Sequence, residues 1–229
     1  TRDQDGAGLE GVRAAAAAAG IDDSTGDIVT IDGIDHWRRR AVMRDRRFWF
    51  GLVGLTMIPG FSVTGLLFHQ IYLAELAGVT LAGWAANYVV YAACAVAGTL
   101  ISGQLVDRFT GRRVAAHLML PIALACLSLW LVDGAVGVLL FFIFFGFASG
   151  MPNTAVAATM AEMYGTRYLG EVKAIFLPLG VFSSALSPMA MGMLIDAGYG
   201  MATLMALNIS LALLAVSYTH LTLPTRRGG

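Results

Sequence analysis

The sequence predicts an all-α membrane protein with six transmembrane helices, on three observations. Apolar residues make up 57% of the chain and charged residues 13%, against roughly 45–50% and about 25% in soluble domains. The charges are segregated: residues 1–47 hold 8 of the 15 Lys+Arg and 9 of the 15 Asp+Glu, whereas residues 48–216 hold 5 and 6. Apolar runs of bilayer-crossing length, about 20 residues each, recur along the second part. On length alone, 229 residues would make one or two soluble domains. The composition overrides that, and excludes a nucleic-acid binder, a secreted disulfide scaffold and most soluble enzymes. The zero net charge sums two compartments and carries no information of its own.

Residues 1–47 read as a cytoplasmic linker with a basic amphipathic end. Residues 1–35 carry the flexible composition, with a short helix expected at Ala14–Ala19. Ile34, Trp37, Ala41 and Met43 stand among arginines in 34–47, the pattern of an amphipathic helix at the membrane surface. Gly6, Gly8 and Gly11 with Asp32 imitate a dinucleotide fingerprint, but that motif needs a hydrophobic strand before its first glycine. Thr1–Asp5 supplies none, so the glycines read as linker.

The chain begins at Thr1 without Met or signal peptide. At the other end, Val216–Thr225 matches the translation of a common transposase sequencing adapter. Residues 216–229 therefore read as adapter read-through, the native sequence as ending near Ala215, and the chain as a fragment. His220, Pro224, Arg226 and Arg227 carry no function on this reading.

Six spans follow, at about 48–72, 81–106, 114–132, 134–160, 173–195 and 200–215, the last interrupted by the adapter. The connections are short, so neighbouring helices are antiparallel. No alternation runs long enough for a transmembrane barrel. Arg108, Arg112, Arg113, Arg167 and Lys173 fall in the second and fourth loops, while the first, third and fifth carry only Glu75, Asp133 and Asp196. Arg38, Arg39, Arg40, Arg44, Arg46 and Arg47 precede the first span on the same side. The positive-inside rule places the N-terminal segment and loops 107–113 and 161–173 in the cytoplasm.

The spans are not uniform anchors. Pro59, Pro121, Pro152, Pro178 and Pro188 lie within the first, third, fourth and fifth. Each removes a backbone donor and tends to bend its helix, which favours a moving bundle. Small residues at helical spacing, Gly146/Gly150, Ala93/Ala97 and Gly98/Ser102, allow close packing. Polar residues share faces: Ser62, Gly65 and His69 beside Gln70; Trp84, Asn87 and Tyr91; Ser149 and Asn153; Ser183, Ser184 and Ser187. They read either as a polar path or as interhelical hydrogen bonds, and His69, Gln70, Asn87, Tyr91 and Asn153 are the residues chosen for a path. No charged residue lies deep within a span by these boundaries, so any proton relay would fall to His69 or to sequence elsewhere.

Enzyme chemistry finds no pattern here. Cys94 and Cys126 read as small buried hydrophobes, and His69 and His117 lack neighbours at metal-ligand spacing. Neither a nucleophile elbow nor a phosphate loop occurs, and no metal or cofactor is implied.

The loop Gly103-Gln-Leu-Val-Asp107-Arg108-Phe-Thr-Gly111-Arg112-Arg113 resembles the signature cytoplasmic loop of the major facilitator superfamily, with Thr110 as one extra residue. Gly103 suits close helix packing, Gly111 a tight turn, Asp107 a facing helix N-terminus, and the arginines the anionic inner leaflet. The stretches RRRAVMRDRRFWF, GLLFHQIYLAEL and AEMYGTRYLGEVKA are similar to the second half of bacterial carriers of this superfamily, most of all its monocarboxylate and oxalate–formate branch. The resemblance covers about residues 34–215. It departs from the branch in having no arginine in the second span and no lysine within the fifth.

The resemblance implies one six-helix half of a twelve-helix bundle, with inverted three-helix repeats echoed by Gly60-Phe-Ser and Gly146-Phe-Ala-Ser. It implies alternating-access transport of a small solute, an organic anion such as a monocarboxylate being the branch's class, in the bacterial inner membrane. The missing N-terminal half, membrane lipid and the solute are the partners it implies. Asp107 would face that half, with Glu162 and Arg167 near the gate's ion pairs. The alternative is a non-transporting six-span scaffold or receptor-like module.

Overall fold

The computed structural model describes residues 27–31 and 33–222, without the side chains of 218 and 220–222. The glycine motif at 6–11, the alanine run at 14–19 and Asp32 lie outside the described residues. Five helices are long and apolar enough to cross a membrane: Phe48–Phe68, Leu81–Phe109, Gly111–Leu131, Gly134–Tyr164 and Leu169–Asp196. The sixth expected span corresponds to a shorter apolar stretch, Met201–Ser217, within the helix Met201–Thr222.

Before the first span the chain departs from expectation. In place of one amphipathic helix over 34–47, strands β1 (Ile28–Ile31) and β2 (Ile34–Trp37) pair antiparallel, followed by a six-residue helix α1 (Arg39–Arg44). The reason is local. Two β-branched stretches flank Asp32-Gly33, a pair suited to a two-residue hairpin turn, and Gly33 takes φ +76°. Residues 28–31, 34 and 35, expected to lie in the flexible linker, instead belong to this hairpin. Asp45 then breaks α1 in an extended conformation, and its carboxylate accepts the Arg47 N–H at 2.9 Å as the next helix starts.

The first span opens with a wide π-helical turn, Phe48–Leu52, and continues as α2 (Val53–Phe68). His69 interrupts it, and α3 (Gln70–Leu76) carries it on. The second comprises α4 (Leu81–Ala86) and α5 (Tyr88–Phe109), and the third α6 (Gly111–Ala115) and α7 (Leu120–Leu131). Pro121 thus sits in the first turn of α7, where its missing N–H has no helical partner to lose, and does not bend a continuous helix. The remaining helices are α8 (Gly134–Tyr164), α9 (Leu169–Asp196) and α10 (Met201–Thr222).

Two helix pairs build the bundle: α5 packs along α8, and α2 along α9. Both rely on backbone approach. A Cβ on Gly150 would collide with the Ala95 carbonyl, and one on Gly146 would lie 2.6 Å from the Tyr91 carbonyl oxygen. In the other pair, a Cβ on Gly60 would lie 2.9 Å from the Gly180 carbonyl oxygen. Hydroxyls then bridge the pairs. Ser102 Oγ donates to the Met151 carbonyl at 2.8 Å and Thr99 Oγ1 to that of Gly150 at 3.2 Å. Ser183 Oγ donates to the Met57 carbonyl at 2.7 Å, and Ser187 Oγ to that of Phe61. Of the small-residue pairs, Gly98/Ser102 and Gly146/Gly150 face this packing, whereas Ala93 is exposed. α7 lies against α8 and α10. An aromatic block fills the core between the second and fourth spans: Phe141 stacks on Phe145 at 4.8 Å, and buried Trp84 meets Phe142 at 5.2 Å.

Because backbone is what a Gly150 side chain would strike, Gly150→Ala should destabilise the bundle by about 1–3 kcal/mol. Gly103→Ala, with open space around it, should change stability far less. Thermal unfolding of the detergent-solubilised protein separates the two; equal midpoints would mean that the pair is not close-packed.

Candidate functional site

A cavity of about 410 Å³ lies where the two helix pairs diverge, lined by α2, α5, α8 and α9. Pro59 and Pro152, the prolines within α2 and α8, both line it. Each withdraws the helical donor from the carbonyl four residues earlier, and those residues, Leu55 and Ala148, also line the cavity. Around them stand Thr56, Thr64, Tyr91, Ser149, Asn153 and Lys173.

Lys173 is the one charged side chain of this lining, and its position corrects the expected boundary. α9 begins at Leu169, ahead of the expected start at 173, because Gly165 ends α8 at φ +73° and only residues 165–168 separate the two helices. Glu171 in the first turn suits the positive helix end. Lys173 is therefore a half-buried helix residue facing the cavity, not a loop cation.

Of the five residues chosen from the sequence, Tyr91 and Asn153 line the cavity. The other three make different contacts. His69 Nε2 lies 3.0 Å from the Pro188 carbonyl, an acceptor that fixes this nitrogen as the donor. Gln70 Oε1 accepts the Tyr88 hydroxyl at 2.7 Å. Asn87 Nδ2 donates to the Gly83 carbonyl at 2.8 Å, within its own turn. Among the serines, Ser62 is fully buried, and Ser183 and Ser187 serve the α2·α9 contact.

The signature loop has its own geometry. Thr110, its extra residue, takes φ +95°, the one positive φ outside glycine among the described residues. The next two N–H groups, of Gly111 and Arg112, donate to the Glu162 carboxylate at 2.5 and 3.2 Å. The Arg112 guanidinium donates to the Glu162 carbonyl at 3.1 Å. Gly111 itself packs on α8, where a Cβ would lie 2.7 Å from the Thr159 nitrogen. The end of α8 thus caps the third span. Gly103 has open space, and Asp107, Arg108 and Arg113 are exposed. The Arg167 guanidinium lies over the Tyr168 ring at 5.8 Å.

Removing the cap should be felt as stability. Glu162→Ala orphans two N–H groups at a helix start and should lower the unfolding midpoint by a few degrees, for a loss of about 1–2 kcal/mol. Glu162→Gln keeps an acceptor oxygen and should lose less; identical melting of all three proteins would refute the capping role.

The family model of the Major Facilitator Superfamily matches residues 12–188, most of the chain. No curated protein matches it. Long apolar helices, closely packed around a partly polar cavity, agree with the match, and the chain belongs to the Major Facilitator Superfamily, a family of membrane transporters.

Proposed function

We propose that this chain is the C-terminal half of a secondary carrier that moves a small organic anion by alternating access. The observation that carries the reading is Lys173, the one cation lining a cavity otherwise composed of hydroxyls, an amide and apolar surface. A carboxylate there gains a charge-assisted bond to the ammonium. Tyr91 and Asn153 supply further hydrogen-bond donors. The position of Lys173 within the fifth span also supports the monocarboxylate and oxalate–formate branch. The other feature of that branch, an arginine within the second span, is absent: the one arginine of Leu81–Phe109 is Arg108, in its last turn.

The uncovered surface supports a second six-span unit against the cavity. The second and fifth spans are the least covered, with 11% and 22% of their apolar windows buried against 39–50% for the others. Val89, Val96 and Leu100 on α5 and Leu177, Val181 and Phe182 on α9 are exposed. Asp107 has no partner among the described residues, so its carboxylate fits a helix start in that second unit. Glu162, by contrast, is engaged within this half. The arginines of the second and fourth loops support a cytoplasmic position for that end of the bundle.

In the full-length carrier reconstituted into liposomes, Lys173→Gln should lower uptake of small carboxylates by about 10- to 100-fold, the worth of a charge-assisted bond. Lys173→Arg should retain part of the activity. Undiminished carboxylate uptake by the glutamine variant would sink the anion assignment. Asp107→Ala should slow transport while leaving membrane insertion intact, and normal transport by it would remove the gate role.

A further inference from the structure

We propose that the hairpin β1–β2 together with α1 is a strap that ties the fourth span to the fifth at their basic ends and must release before the cavity opens there. The inference rests on the cavity being the solute path.

The strap's contacts converge on one segment, residues 164–171. His36 is 8% exposed, and its Nδ1 accepts the Arg167 backbone N–H at 3.4 Å. Gly165 lies directly beneath it: a Cβ there would strike His36 Nδ1 and lie 2.8 Å from the Asp35 carbonyl oxygen. Trp37 meets the edge of the Tyr164 ring at 5.5 Å. The Arg38 guanidinium covers the Tyr168 ring at 5.2 Å, and the Arg39 N–H reaches Glu171 Oε2 at 3.4 Å. Past α1, Asp45 accepts the Tyr164 hydroxyl at 3.1 Å.

These contacts fall on both sides of one joint. Tyr164 and Gly165 end α8, while Tyr168 and Glu171 begin α9. The two helices contribute opposite parts of the cavity wall, Ala157 and Met160 from one, Lys173 and Phe176 from the other. Yet α8 and α9 touch each other only sparingly along their length, each being packed on a different partner. Beyond the four-residue connection 165–168 itself, the strap is what braces the two helices at this end, and through Phe48 it leads directly into the first span, a third wall of the cavity. Its character is that of a latch. A two-stranded hairpin has marginal stability by itself, so its order depends on docking. The two 3.4 Å bonds are at the long limit of hydrogen bonding. Such a contact holds one state of the carrier and yields when the helices move.

The test uses the full-length carrier in inside-out vesicles, with Cys94→Ser and Cys126→Ala and a single reporter, Ala157→Cys, in the cavity wall. A membrane-impermeant maleimide is added on the side of the basic loops. Untying the strap with His36→Ala plus Trp37→Ala should raise the labelling rate at 157 several-fold. Arg38→Ala, a surface change that spares the fold, should raise it in the same direction. His36→Asn, whose side-chain oxygen accepts the Arg167 N–H, should stay near the parent rate. A reporter at exposed Gln104 should label alike in all of them, which separates opening from general unfolding. Equal labelling at 157 in the parent, the double variant and Arg38→Ala would overturn the strap. Labelling reports opening whatever the solute, so this failure is distinct from loss of the anion assignment, which uptake alone decides. A cysteine at 157 unreactive in every variant would overturn both the strap and the cavity as a path.

Discussion

Inside a bilayer a backbone carbonyl has no water to turn to, and this chain nevertheless places prolines inside three of the helices that wall its cavity, with Pro59 and Pro152 lining the cavity themselves. The arrangement around them answers that constraint. Met57 and Phe61, on either side of Pro59, receive hydroxyls from Ser183 and Ser187. Gly150 and Met151, just before Pro152, receive them from Thr99 and Ser102. In both cases the donors come from the neighbouring helix, and glycine brings the two backbones close enough for short side chains to reach across. The hydroxyls do not sit on the carbonyls that the prolines orphan. They fix the turns beside them, leaving Leu55 and Ala148 toward the cavity.

The two clamps are arranged alike. The first and fourth spans carry the prolines that line the cavity, the fifth (which has Pro178 and Pro188 of its own) and the second carry the hydroxyls, and the pairs formed are first with fifth and fourth with second. This is the relation expected when two three-helix repeats exchange partners, and it explains where the cavity lies. Helices within a clamped pair are in backbone contact, whereas the first and fourth, or the fourth and fifth, meet sparingly. Space remains along the seam between the pairs, and the polar groups that line it belong to both.

Apolar length was the legible part of the fold, because hydrocarbon thickness acts on composition directly. The family resemblance rested on Gly103, Asp107 and Gly111, whose spacing survives one inserted residue; the structure absorbs Thr110 by a positive φ that no pattern announces. What stayed hidden was decided by neighbours. A helical wheel groups Ser62, Gly65 and His69, but that face meets α9, where Ser187 presses on Gly65 and His69 reaches Pro188. Tyr91 and Asn153 reach the cavity because they stand on the side of the α5·α8 pair that faces the α2·α9 pair, which depends on packing no single span encodes. The hairpin was missed for a different reason. Asp32-Gly33 between β-branched residues is a hairpin signal, but Ile34, Trp37 and Ala41 also fit a helical period, and burial of His36 against Gly165 favours the strand.

Lys173 shows how much can turn on one helical turn. A cation deep in a span is expensive, and the chain has none there. Placed near the start of α9, Lys173 lines the cavity beside Phe176 and Leu177 without standing at the middle of the span. The cavity thereby gains a positive charge without a charge at mid-membrane. That economy has a structural condition: α9 must begin at Leu169, immediately after the segment that holds the strap. Glu171, bonded to the Arg39 N–H, is two residues from Lys173, so the helix end that presents the cation is the same one that the strap holds. If the strap acts as proposed, movement of that end would alter access to the cavity and the position of the one charge in its lining together, and a solute paired with Lys173 would act on the strap through a single turn of helix.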